Sequence, residues 1–372
     1  LVLFQKSLEI AENKIPSDSN ELAQYYLSCG ETLRMLGRLK EAEQMFRKSL
    51  AIRERINGPQ SERYADDLNY LALALGDQGK DHEAEALWRK CVKIHESCHS
   101  INSRGYTKCL TNLATVVSNQ NPDESECLLR KSMEIQERVF GTEHTLTLLT
   151  VANLGDLLAK KGNFQEGERL LQRAICGYER LQHPYLGIVL GFLAKALENK
   201  GQFKDAEYYY RRALEMHEKV PVKYHLHMAT FNNNLAFLAH NKKDYEGAEP
   251  LYRRALDIQE KVLGVEHPDT LHSITWLAYL ISRRGDYTTA EPLYRRALKG
   301  YERVEGLEHS TTLTVVNHLA ELLFTKGDYV AAEPLFRRAL DIKEKVLGKD
   351  HRDTITTIYN LAQLLRDKGE HK

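Results

Sequence analysis

Apolar positions in this chain recur at helical spacing, and the recurrences themselves recur. Leu271, Ile274, Leu277, Ala278 and Ile281 fall on one face of a helix. Pro268 suits the first helical position, because its missing N–H would be unpaired there anyway. Asp269 adds negative charge where the helix dipole favours it. Gly285 predicts the stop, and Asp286 predicts the cap of a second helix. That helix carries a second stripe of Tyr287, Ala290, Leu293, Tyr294, Ala297, Leu298 and Tyr301, and Gly306 ends it. The unit is helix–turn–helix, and no stretch of the chain reads as a convincing strand.

The unit repeats. AEPLYRRAL stands at 248–256 and again at 290–298, with AEPLFRRAL at 332–340. Anchored on Ala42-Glu43, the same slot returns at Ala84, Ser125, Gly167, Ala206, Ala248, Ala290 and Ala332, at intervals of 42, 41, 42, 39, 42, 42 and 42. LFQKSLEI at 3–10 aligns with MFRKSLAI at 45–52, so the array reaches the first residues. One helix pair cannot bury its own apolar face, so each repeat must rest on its neighbours. The prediction is an all-α solenoid of antiparallel helix pairs, one domain over 1–372. It has eight full pairs, a trailing second helix at 1–10 and a lone first helix at 352–368. The open ends read as those of an excerpt from a longer protein, or as surfaces covered by other domains of the same parent chain.

Two intervals are short. Around NQNPDESE (119–126) the turn lacks its Gly, and at GYERLQHPYLG (177–187) the usual VLGxEH joint is cut down. The joint in HEKVPVKYHLH (217–227) also lacks its Leu-Gly. Within the repeat, Pro250, Pro292 and Pro334 lie early in the second helix, each at the expense of one backbone hydrogen bond. Ala213, Ala255, Ala297 and Ala339 are small enough for close helix approach. Glu249–Arg253, Glu291–Arg295 and Glu333–Arg337 are i,i+4 pairs in the favourable order.

Charge and cysteine content narrow the function classes. The 372 residues hold 52 Lys+Arg against 52 Asp+Glu, a formal net charge of zero. That argues against a nucleic-acid partner, which needs a basic face, and gives no attraction to an anionic membrane. No apolar run approaches the ~18 residues of a membrane helix. Six cysteines at irregular spacings, with no CxxC, read as reduced thiols of a cytoplasmic protein.

The motif NLAxLLxxxGxYxxAExLYRRALxIxEKVLGxxHPDT resembles the tetratricopeptide repeat in the 42-residue form of kinesin light chains. Here it is carried by Asn360-Leu361-Ala362, Gly285-Asp286-Tyr287, AEPLYRRAL, EKVLG at 260–264 and 344–348, and HPDT at 267–270. The resemblance implies a right-handed superhelix whose first helices line a concave groove that binds peptide segments of partners. Related repeats are also fused to nucleotide-switch ATPases and caspase-like peptidases, which implies a second reading as the sensor region of a larger effector.

In this family the residue before the Leu-Ala pair of each first helix projects inward. Those residues are Ser28, Tyr70, Asn112, Asn153, Phe192, Asn234, Trp276, His318 and Asn360. A side-chain amide both donates and accepts, so Asn can pair with an extended peptide backbone. Tyr70, Phe192 and Trp276 could anchor side chains. Further inward candidates are mixed in sign: Asp66, Lys108, Asp156, Lys195 and Glu321.

HESCH at 95–99 matches the HExxH zinc-protease pattern, but Glu96 fills the slot of Glu218, Glu260 and Glu344, which have no second His. No metal, cofactor or catalytic residue is expected. His144, His267, His309 and His351 come one per repeat, too far apart to share a metal, and read as helix-start or inter-repeat hydrogen bonders. No Walker, GxSxG or dinucleotide motif occurs. The expected function is a non-enzymatic protein-interaction scaffold.

Overall fold

The computed structural model describes Lys6 and residues 10–217, 225–346 and 348–369. These group into two compact units, 1–223 and 224–372. All their regular structure is helical. Of the trailing helix expected at 1–10, residues 10–14 continue a helix and most of the rest lies outside the described residues.

The first unit holds α1 (Asn20–Met35), α2 (Leu39–Asn57), α3 (Glu62–Gly76), α4 (Asp81–Ser97), α5 (Arg104–Val117), α6 (Pro122–Phe140), α7 (Thr145–Lys160), α8 (Phe164–Arg180), α9 (Leu186–Asn199) and α10 (Phe203–His217). The second holds α11 (His225–Asn241), α12 (Tyr245–Val262), α13 (Pro268–Arg283), α14 (Tyr287–Val304), α15 (Ser310–Lys326), α16 (Tyr329–Val346) and α17 (Arg352–Asp367). Odd-numbered helices are the first of each pair. In both units a helix packs on its partner and on the neighbouring pair.

Each second helix drives one large side chain into the core from the same slot. In the first unit these are Phe46, Trp88, Leu129, Leu171 and Tyr210, and in the second Tyr252, Tyr294 and Phe336, all buried. Both stripes read from 268–301 face inward, with Leu271, Ile274, Leu277, Ala290, Tyr294 and Ala297 buried. Ala213, Ala255 and Ala339 are also fully buried. Pro250, Pro292 and Pro334 sit inside unbroken helices.

The turns are built by backbone handedness. Gly285 and Gly327 adopt φ of 88° and 85°, where an L side chain is strained. Lys243 occupies the same slot at φ 65°. At the joint between repeats, Gly264 turns the chain and His267 Nδ1 accepts the Asp269 N–H as helix cap at 3.2 Å. Thr270 Oγ1 then donates back to the Gly264 carbonyl at 2.9 Å. The clip recurs at Gly141–His144–Thr147, Gly306–His309–Thr312 and Gly348–His351–Thr354. The GxxHxxT spelling is therefore a loop-closing device, and the histidine series caps helices. At the shortened joint, His183 Nδ1 accepts the Tyr185 N–H, and its ring stacks on Tyr185 and lies tilted against Tyr178.

The outer charges pair across repeats as well as within them. Glu291 binds Arg295 at 2.9 Å and Lys326 of the next first helix at 2.8 Å. Glu333 holds Arg337 and Lys368 in the same way, and Glu249 holds Arg253 and Arg284. In the first unit Glu43 joins Arg47 and Lys80, and Glu126 joins Arg130 and Lys161. The second Arg of AExLYRR reaches back: Arg296 to Glu260 and Arg338 to Glu302.

Candidate functional site

Three recesses lie along the first helices, and another, of about 490 Å³, lies on the second helix α8 beside Phe164, Arg169 and Lys200. In the first unit a cavity of about 760 Å³ opens over α1, α3 and α5. A second, of about 330 Å³, shares Glu31, Asn69, Tyr70, Arg104 and Lys108 with it and runs on to Asn112, Leu149 and Tyr185. In the second unit a cavity of about 280 Å³ lies beside His318, Glu321, Lys343 and Asp353.

The inward positions expected from sequence are all half-buried: Ser28, Tyr70, Asn112, Asn153 and Phe192 in the first unit, and Asn234, Trp276, His318 and Asn360 in the second. Tyr70 stacks on Phe46 at 5.9 Å and lines both first-unit cavities. The asparagines are not equivalent. Asn112 donates to Asn69 Oδ1 of the preceding repeat at 2.9 Å, and Asn360 donates to Glu321 at 3.1 Å. Asn234 is engaged as well. Asn153 makes no side-chain hydrogen bond among the described residues. Trp276 donates to His272 Nε2 at 2.9 Å and sits edge-to-face with Phe237 and Tyr279, both at 5.8 Å. His318 packs against Tyr279 and Tyr294. Burial and Lys343 hold its imidazole below the ordinary value.

The charged inward candidates divide in two. Asp156 pairs with Lys160, and Lys195 with Glu198, each on its own helix at 2.6 Å. Asp66 and Lys108 do not pair in this way. Burial, aided by Glu62, pushes the Asp66 carboxyl up to about 6, against the pull of Lys108 and Arg53. Burial and Arg104 hold the Lys108 ammonium below its usual range. Behind them Asp67 is buried and also raised to about 6 by burial, although it accepts from Ser49 Oγ at 2.6 Å and lies 3.5 Å from Arg53 Nε.

The zinc-protease spelling dissolves in three dimensions. His95 is fully buried with Nδ1 2.8 Å from Ser100 Oγ, while Glu96 accepts from Tyr106 and Lys131. His99 lies beyond the helix end at φ 57°. Among the described residues no cluster of three potential metal ligands forms.

Sequence reading missed a buried polar slot on the second helices. Arg53, His95, Gln136, Tyr178, Gln259, Tyr301 and Lys343 hold equivalent positions and are all buried. Most hydrogen bonds of the slot reach a first helix, whereas His95 bonds Ser100 in the turn that follows its own helix. Tyr178 donates to the Thr145 carbonyl at 2.9 Å, Gln259 accepts from Ser273 at 2.5 Å, and Lys343 donates to Thr357 at 3.0 Å. Part of the signal was present: aligned on the 42-residue period, the slot holds a polar or aromatic residue in every repeat from Arg53 onward, while Ala11 fills it before them.

Comparison with known proteins agrees with this architecture. A family model described as tetratricopeptide repeat matches residues 1–55, 117–179, 144–219, 227–303, 271–345 and 311–372. The chain is a tetratricopeptide repeat protein. Two further models of that description match these repeats at 192–261 and 68–99. Human "Tetratricopeptide repeat protein 19, mitochondrial" is 29% identical over 94 residues, 25% of each chain, and the rat protein is 26% identical over 95 residues. The match thus spans about a quarter of the length of these curated relatives. Among solved structures, a putative kinesin light chain from Podosopora anserina aligns at 23% identity over 55% of this chain and 98% of that one, with a TM-score of 0.47. A signal transduction ATPase with a tetratricopeptide repeat sensor, from Pyrococcus horikoshii, aligns over 94% of these repeats and 50% of that chain. It does so at 13% identity with a TM-score of 0.69, a likeness of fold.

Proposed function

We propose that this tetratricopeptide repeat protein is a non-enzymatic scaffold that binds a peptide or helical segment of a partner protein along its first-helix face. The observation that carries the reading is the pair of joined cavities over α1–α7, where Tyr70 and Asn112 stand half-buried among polar groups. Asn153 and Phe192 extend the candidate surface within the first unit, and Asn234, Trp276, His318 and Asn360 hold the equivalent positions within the second. The interval of 42 between Ala206 and Ala248 favours one continuous array over 1–372. Six free thiols fit a cytoplasmic setting, and among the described residues no helix is long and apolar enough to cross a membrane.

The test is a peptide-display selection against the chain, repeated with Tyr70→Ala plus Asn112→Ala after circular dichroism shows unchanged helicity. An enriched motif lost in the variant supports the groove. A motif indifferent to the substitutions sinks it.

A second reading, a sensor region joined to a nucleotide-switch ATPase or peptidase, is favoured by the alignment of nearly the whole array with the Pyrococcus horikoshii ATPase. Reading the parent gene tests it: an adjoining Walker or caspase-like segment supports this reading, and a coiled coil favours an adaptor.

A further inference from the structure

Nearly every outer charge described above has a partner, whereas the recessed face of the first unit collects charges without one. Among the described residues, Arg63, Arg104 and Lys108 line the large cavity with no ion pair or side-chain hydrogen bond. Asp66 has only His95, at 3.8 Å. Gly105 makes room for this carboxylate, because a Cβ there would overlap Asp66 Oδ1. The inward charges of α7 and α9, by contrast, are neutralised on their own helices.

Asp66 and Lys108 are 42 residues apart, so they hold the same place on successive first helices. Each feels the other's charge, yet they form no close ion pair. Packed helices lie roughly 8–10 Å apart. An extended polyproline-II segment advances about 3.1 Å per residue with three residues per turn, so side chains three apart point the same way about 9 Å apart. Building on the groove reading above, we infer that this face reads a bipolar segment of the partner. A basic side chain lies against Asp66, and an acidic one three residues away lies against Lys108 and Arg104. A wholly acidic segment meets repulsion from Asp66 and Glu31, and a wholly basic one from Arg63, Arg104 and Lys108. Selectivity therefore comes from rejection as much as attraction.

The test uses the same display selection with Asp66→Asn, Lys108→Glu and the swap Asp66→Lys plus Lys108→Asp, each checked for helicity. The wild-type motif carries opposite charges three residues apart. Asp66→Asn loses the basic preference and weakens the selected peptide roughly tenfold, as one lost charge contact would, and Lys108→Glu sets like charges together and weakens it more than tenfold. The swap selects the reverse order of charges. Should the swap fail to fold, the two single variants decide the matter. A motif that depends on Tyr70 and Asn112 but ignores all charge changes overturns the bipolar reading and keeps the groove. No enriched motif overturns both.

Discussion

Lys243 marks how tightly single positions are constrained. It stands where other repeats place Gly285 or Gly327, in the left-handed region at φ 65°. A side chain there is strained by its own Cβ, whereas Gly is at ease. Lys243→Gly is therefore expected to stabilise the protein by about 0.5–1 kcal/mol, read as a raised urea midpoint with unchanged slope. A lowered midpoint would mean that the backbone carries no such strain. The opposite constraint holds at Gly167 and Gly155, whose helices touch through backbone. A Cβ on Gly167 would come within 2.8 Å of the Gly155 carbonyl oxygen. Gly167→Ala is expected to destabilise by roughly 1–2 kcal/mol, in the same assay. The sequence displays both departures from the repeat, but not their sign, because that depends on φ and on the facing helix.

Between elements, two devices join each repeat to the next. One is the Gly–His–Thr clip. Thr270→Val removes the hydroxyl that closes it while keeping shape, at an expected loss of about 1 kcal/mol in urea unfolding. The other is the doubly paired glutamate. Burial alone would raise the Glu43 carboxyl, but hydrogen bonds from Gln78, Arg47 and Lys80 outweigh it and hold the group at about 2, below its ordinary 4.5. A depressed folded value stabilises above pH 4.5, and that contribution fades as pH falls towards 2. Glu43→Gln is thus expected to be less stable than the parent by roughly 1 kcal/mol at pH 7, with the gap narrowing steadily between pH 4.5 and 3. A gap independent of pH would assign the loss to packing. The i,i+4 half of this pairing was legible in the spacing. The inter-repeat half was not, since it depends on which turn faces which helix.

At the scale of the molecule, equal numbers of acids and bases become intelligible: the ladders neutralise themselves. The two tryptophans fall one to each unit. Trp88 is buried and bonded to Asn69, and Trp276 is half-buried in an aromatic cluster. Trp276→Phe leaves fluorescence reporting the first unit, and Trp88→Phe leaves it reporting the second. In a linear array, stability is a sum of local and nearest-neighbour terms. The two reporters are expected to show different urea midpoints, and coincident curves would indicate one cooperative transition.

The sequence by itself determined the helices, their pairing and their repetition. These follow from local periodicity, from Gly, Pro and cap residues, and from an interval repeated often enough to be measured. The row of candidates before each Leu-Ala pair came from the resemblance to the tetratricopeptide repeat, as an expectation. Only the tertiary structure decided which members of that row are already engaged, as Asn112 is by Asn69. It alone showed that Asp66 and Lys108 lack the intrahelical partners that Asp156 and Lys195 possess, and that Arg53, His95 and Gln136 share one buried slot. Those facts rest on contacts between repeats some forty residues apart. Hydrogen bonding and desolvation depend on what faces a group in space, and periodicity along the chain carries no record of that.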